Sequence, residues 1–234
     1  MFTCCKFTVV TGVSKSHLLR TSRLLYEAKA LRIVITSYIP MHSYSFKLFP
    51  KSIRKKFISR VENVESIPRT SFIVPELIYQ FGRFLQKKSF TRAADIFLAN
   101  SFKLCSLLSS RIIANSPNAK NEIVLVRAGF GTKISFKERF FLCDASLAHP
   151  RTLNQLLKNG SFGLTSNDNL SRVDHMILKD IEHADAILVN SEFVRDSFIY
   201  AGVPSHKIIT AYLPPLPQFK LTTKRKEFRE PTLK

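Results

Sequence analysis

Acidic side chains are scarce in this chain: 17 Asp and Glu stand against 36 Lys and Arg in 234 residues, a formal charge of +19. Such a chain is drawn toward polyanions, whether nucleic acid, anionic lipid or a phosphorylated substrate. The excess is no uniform coat, because the first sixty residues hold twelve basic side chains and one acid, Glu27. Cysteine is sparse as well. Cys4, Cys5, Cys105 and Cys143 show neither CxxC nor zinc-type spacing, and a reduced, cytoplasmic chain with buried thiols is the ordinary reading. No uninterrupted apolar run of ~18 residues exists, so no membrane span is expected. Lys6, early in a short apolar run without a cleavage site, makes the N-terminus a first strand rather than a signal peptide. Also missing are GxxxxGK(S/T), HExxH and GxSxG, which leaves P-loop, zincin and hydrolase chemistry without support. No cofactor and no metal ion are expected.

What is present is a globular composition, 45% hydrophobic, in which strand and helix patterns alternate. Phe7 to Val10 predicts a strand, followed by a turn at Thr11 and Gly12. A helix follows from Ser14 to Lys29, with Leu18, Leu19, Leu25 and Tyr26 at the spacing of a buried face, and Leu31 to Ile39 predicts strand two. From Pro40 to Arg69 the pattern loosens. A basic amphipathic helix beginning near Pro50 carries Lys51, Arg54, Lys55, Lys56 and Phe57, which suits contact with an anionic bilayer or another polyanion. A surface helix packing Ile53 and Phe57 inward is the alternative. Pro75 to Ile113 is helical, with Leu77, Phe81, Phe84 and Leu85 on one side and a break at Ser89 to Arg92. Strands follow at Glu122 to Val126 and Phe140 to Ala145, then a helix after His149. Ser171 and Asp174 have the spacing of a capping box for a helix ending near His183. The order predicts an α/β fold, a Rossmann-like parallel sheet flanked by helices, over residues 1–213. Residues 214–234, rich in proline and then in Lys and Arg, are expected to be a linker-like tail.

Residues Glu182 to Pro214 complete a βαβ unit: a buried strand from Ala186 to Val189, Ser191 as N-cap, a helix with Phe193, Val194 and Phe198, and Gly202 at its end. This segment resembles the end of the N-terminal domain of family 4 glycosyltransferases of the GT-B fold. The residues that carry the likeness are Glu182, Ala184, Asp185, Ser191, Glu192, Phe193, Gly202, Lys207 and Ile208. A second matching block lies upstream, at Val126 to Gly131 and Phe141 to Leu157, in the right order and spacing. The likeness covers the second half of the chain; the first half agrees only in its order of strands and helices.

The resemblance implies the acceptor-side half of a retaining glycosyltransferase, which transfers a sugar from a nucleotide sugar to a saccharide or lipid-linked acceptor. It implies that His149 contacts the transferred sugar. Asp144 either holds an acceptor hydroxyl and orients Arg151, or serves as a turn carboxylate. Arg127, Gly129 and Gly131 form the other matched strand end, where glycines permit close backbone approach and a guanidinium can grip phosphate; a structural turn with a surface Arg is the competing account. Ser191 and Glu192 open a helix whose N–H groups suit an anion, although Ser191 serves first as a cap. The first turn has only Gly12 where the family commonly has a glycine-rich loop, with Lys15 and His17 as partial substitutes. The family's donor domain carries two glutamates separated by seven residues, and no Glu pair here has that spacing. A separate donor-domain chain is therefore an implied partner, and the chain alone is expected to be weak or inactive. Peripheral attachment to the inner face of a membrane fits the charge. A basic nucleic-acid-binding protein is the rival reading, without an RRM, KH or zinc-finger signature.

Overall fold

The computed structural model describes residues 5–14, 16–37, 66–116, 121–159 and 170–212. Within them seven strands form one parallel sheet: β1 (Lys6–Gly12), β2 (Leu31–Ser37), β3 (Arg69–Phe72), β4 (Glu122–Arg127), β5 (Phe140–Asp144), β6 (Ala186–Val189) and β7 (Ile208–Thr210). Their spatial order is β3-β2-β1-β4-β5-β6-β7. The chain thus winds outward from β1 to one edge and then from β4 to the other. Crossovers on the two sides of β1 and β4 diverge, which opens a crevice at the carboxyl ends of these strands. The α/β, Rossmann-like parallel sheet expected from the sequence is the fold the chain adopts.

The sheet is apolar on both faces, which is why its central strands are nearly continuous apolar runs. Val10, Val124, Val126, Cys143 and Ile187 enter the larger core, and Val9, Val34 and Leu125 point the other way, onto Leu18 and Leu19 of α1 (Leu18–Glu27). That helix is shorter than predicted, and Tyr26, in its last turn, is 42% exposed although it lies on the face that Leu18, Leu19 and Ser22 bury. β3 escaped the sequence reading. It is a half-buried polar edge strand paired only with β2, so it has no apolar run to announce it.

The helical region divides where predicted, into α2 (Ile73–Lys87) and α3 (Thr91–Ala114), with Ser89 at φ 64° in the turn between them. Yet α2 presents Leu77, Phe81 and Phe84 to solvent, while Pro75, Glu76 and Gly82 face inward. Periodicity finds an apolar stripe; it does not say which way the stripe looks. α3 is long and apolar enough by composition to cross a membrane, although its Cys105 and Ile113 are fully buried in the core beside the sheet.

The remaining helices are α4 (Pro150–Asn159), α5 (Arg172–His183) and α6 (Glu192–Tyr200). The Ser171 and Asp174 capping box forms reciprocally at the start of α5. Motif residues of the last βαβ unit do structural work. Asp185 accepts a 2.7 Å hydrogen bond from the Phe141 amide, Lys207 donates to the Ala184 carbonyl at 3.2 Å, and Gly202 ends α6 at φ 89°. The basic segment with Lys51, Arg54, Lys55, Lys56 and Phe57, and the tail from 213, lie outside the described residues.

Candidate functional site

Parallel pairing sets Arg127 opposite Asp144, so β4 and β5 end level and present a cation and a carboxylate side by side. The turn after β1 then closes over them. Gly12 takes φ 72°, and a Cβ there would overlap the Phe130 ring, so the turn packs directly on that ring. The chain continues through Val13, whose carbonyl accepts from Arg127 Nη1 at 3.0 Å, to His17, whose Nε2 lies 3.0 Å from Asp144 Oδ1. Three segments far apart in sequence thus meet at the point where the strand order reverses.

Arg127 is largely buried beside the Phe130 ring, and burial lowers its pKa while Tyr79 and Asp144 oppose that pull. Its guanidinium stays charged. Asp144 is 4% exposed, and its second oxygen, Oδ2, has no hydrogen-bond partner among the described residues. A buried carboxylate oxygen left open beside a cavity is a place for a donor such as a ligand hydroxyl. The cavity measures about 850 Å³. Arg127, Asp144, Ala145 and Ser146 form its floor; Tyr79, Arg83 and Gln86 of α2, Arg92 and Asp95 of α3, Leu153 of α4 and Asp174 and Ile177 of α5 form its walls.

The other candidates stand at the same sheet edge in different settings. Ala148 and Pro150 line the cavity, but the His149 ring is turned edge-on to Phe198 of α6, with centroids 5.2 Å apart, and its amide donates to Ser197 Oγ at 3.0 Å. Burial, with Arg151 adding to it, lowers the pKa of His149, which favours the neutral ring; its Nδ1 has no hydrogen-bond partner among the described residues. Gly129 and Gly131 direct their amides away from the cavity floor into the molecule, both onto Asp180 Oδ2 at 2.7 Å. A Cβ at Gly131 would crowd that carboxylate and one at Gly129 the Phe102 ring, so the close approaches these glycines permit are internal. Ser191 caps α6 by accepting from the Val194 amide at 3.3 Å. Glu192 is exposed and bonded to Tyr212 Oη at 2.8 Å and Arg195 at 3.0 Å, which lower its pKa in that order. Neither lines the cavity, although Asn190 ties their loop to the Ser146 carbonyl at 3.2 Å.

The structure therefore brings together Arg127, Asp144 and His17; Arg127 and Asp144 line the cavity, whereas His17 reaches it only through its contact with Asp144, and His149 does not line it. Arg83 and Arg92 were missed. The signal that could have marked Arg83 is the polar side of α2 with Tyr79 and Gln86, opposite the conspicuous Leu and Phe stripe; Arg92, in the first turn of α3, had none.

Fold and crevice together define a doubly wound α/β domain with a cavity at its switch point. No protein-family model matches the chain, and no curated protein does. Solved structures do resemble it, among them two complexes with UDP. A crystal structure of LpCGTa in complex with UDP has a TM-score of 0.47 at 12% identity, over 91% of this chain and 53% of that one. Arabidopsis thaliana UGT89C1 complexed with UDP has a TM-score of 0.49 at 12% identity, over 91% and 50%. The chain spans about half the length of each.

Proposed function

We propose that the switch-point crevice is the acceptor side of a glycosyltransferase whose nucleotide-sugar side comes from sequence beyond these residues, on the same polypeptide or on a second chain. The observation that carries this reading is the 3.0 Å contact of His17 with Asp144, next to Arg127 and beside a cavity of about 850 Å³. It adds to the motif likeness of the two blocks quoted above.

Asp144 holds the imidazole of His17 through Nε2, which leaves the other ring nitrogen for an acceptor hydroxyl; a base oriented by a carboxylate is the usual arrangement for proton removal. Oδ2 of Asp144 accepts a second hydroxyl and fixes the acceptor's rotation. Arg127 anchors a phosphate or another anionic group of the acceptor. His149 is the group proposed to meet the transferred sugar once the donor half closes over the sheet edge. Stabilisation of the departing nucleoside diphosphate falls to that other half, where most of the electrostatic work of such a transfer resides.

The motif likeness implies retained anomeric configuration. The His17 and Asp144 pair favours a second reading, direct displacement with inversion, because only that route needs a protein base on the acceptor hydroxyl. The anomer of the product separates the two. The test is transfer from a panel of nucleotide sugars by the isolated chain and by the chain supplemented with its donor half. Turnover is expected only in the supplemented reaction; equal turnover by the isolated chain contradicts the proposal.

A further inference from the structure

The outer face of the α2–α3 pair is used by neither the core nor the crevice. At 100° per residue Ile73, Val74, Leu77, Phe81 and Phe84 fall within a stripe about 100° wide, and all are exposed, Leu77 by 58% and Phe84 by 53%. Phe97 of α3 meets Phe81 edge-on with centroids 4.9 Å apart, and Phe81 lies 6.4 Å from Phe84. Phe90, in the turn joining the two helices, is 61% exposed. A contiguous aromatic surface of this kind marks an interaction site.

The exposed charges of the pair have one sign. Ile73 to Ala114 contain six Lys and Arg and two acids. Glu76 is 2% exposed and accepts from the Ser14 amide and from Gln80, and Asp95 pairs with Arg172 at 3.5 Å. Lys87, Lys88, Lys103 and Arg111 are exposed on these two helices, which carry no other carboxylate.

We infer that this face docks on an anionic lipid bilayer. Leu77, Phe81, Phe84 and Phe90 enter the boundary between headgroups and acyl chains, and the four cations meet lipid phosphates. An apolar stripe on helices that also expose Lys and Arg matches both layers of such a surface at once. A second copy of the chain would instead set cations against cations. The opposite side of α2 carries Tyr79, Arg83 and Gln86 into the cavity, so docking places the cavity wall next to the lipid. Docking is independent of whether the crevice transfers sugars.

The test is co-sedimentation of the full chain with vesicles of phosphatidylcholine alone and of phosphatidylcholine mixed equally with phosphatidylglycerol. Binding is expected only to the anionic vesicles. The double variant Leu77→Glu with Phe84→Glu, and the triple variant Lys88→Gln, Lys103→Gln and Arg111→Gln, should each lower partitioning more than tenfold while circular dichroism is unchanged. Parental binding by the Glu variant overturns the inference. So does a parental dimer that the Glu variant dissolves, which would give the face to a second copy. If the Glu variant fails to fold, a fluorophore at Leu77→Cys decides: quenching by lipid-borne quencher supports docking, and quenching only from water overturns it.

Discussion

Replacing Asp180 by Asn should remove a pH dependence of stability that the fold imposes on a single carboxylate. Asp180 is 2% exposed and gives one oxygen to two glycine amides. Burial raises its pKa from 3.8 to about 7 against the pull of those amides and of His183. The folded state therefore holds the proton more tightly than the unfolded chain does. The resulting stability is fully present below about pH 4 and is lost as pH rises through about 7. At about 1.4 kcal/mol for each tenfold change in proton affinity, the full effect is about 4 kcal/mol, of which about 2–3 kcal/mol falls between about pH 5 and about pH 8. That is a large share of the roughly 5–15 kcal/mol that holds a domain folded. Asp180→Asn keeps an acceptor for both amides and cannot ionise. Urea unfolding of parent and variant across this range should show the parent losing about 2–3 kcal/mol relative to the variant. Asp180→Ala should lie about 2–6 kcal/mol below the Asn variant at every pH, because two buried amides are left without a partner. Parallel pH profiles for parent and Asn variant would refute the reasoning.

At the opposite sheet edge, Glu122 is 3% exposed between Arg32 at 2.7 Å and Arg139 at 2.9 Å, and Glu122→Gln should cost about 3–5 kcal/mol in chemical denaturation. Burial works to raise the Glu122 pKa, and hydrogen bonds from Thr8, Arg139 and Arg32 outweigh it, so its contribution is present above the unfolded pKa and lost as pH falls through the lowered folded one. Gly129 has φ 94°, and an added Cβ would lie 2.9 Å from the Phe102 ring, whereas Gly202 has φ 89° with open space. Gly202→Ala should therefore cost about 1 kcal/mol and Gly129→Ala clearly more, read as the drop in Tm. Cys105, with its thiol pushed up to about 12 by burial, and the fully buried Cys143 should resist thiol reagents until the chain unfolds, while exposed Cys5 reacts.

Local rules made much of this fold legible. The capping box at Ser171 and Asp174, the break before Thr91 and the apolar runs of β4, β5 and β6 are written within a few adjacent residues. What escaped depends on distance or direction. β3 is polar because it sits at an edge, and the α2 stripe has the period of a buried face although it looks outward. Gly129 and Gly131 resembled a ligand turn until Asp180, some fifty positions away, was seen to occupy it. His17 and Asp144 are 127 residues apart, so only the strand order brings them together.

That pair is where the account is most directly tested, by kinetics of His17→Ala, Asp144→Asn and the double variant in the chain joined by its donor half. If Asp144 acts through His17, each single change should lower kcat/KM for glycosyl transfer by about 10²–10⁴, and the double variant should be no slower than the worse single one. Rates within a few-fold of the parent, or losses that simply multiply, would show that the crevice is not where the acceptor is activated.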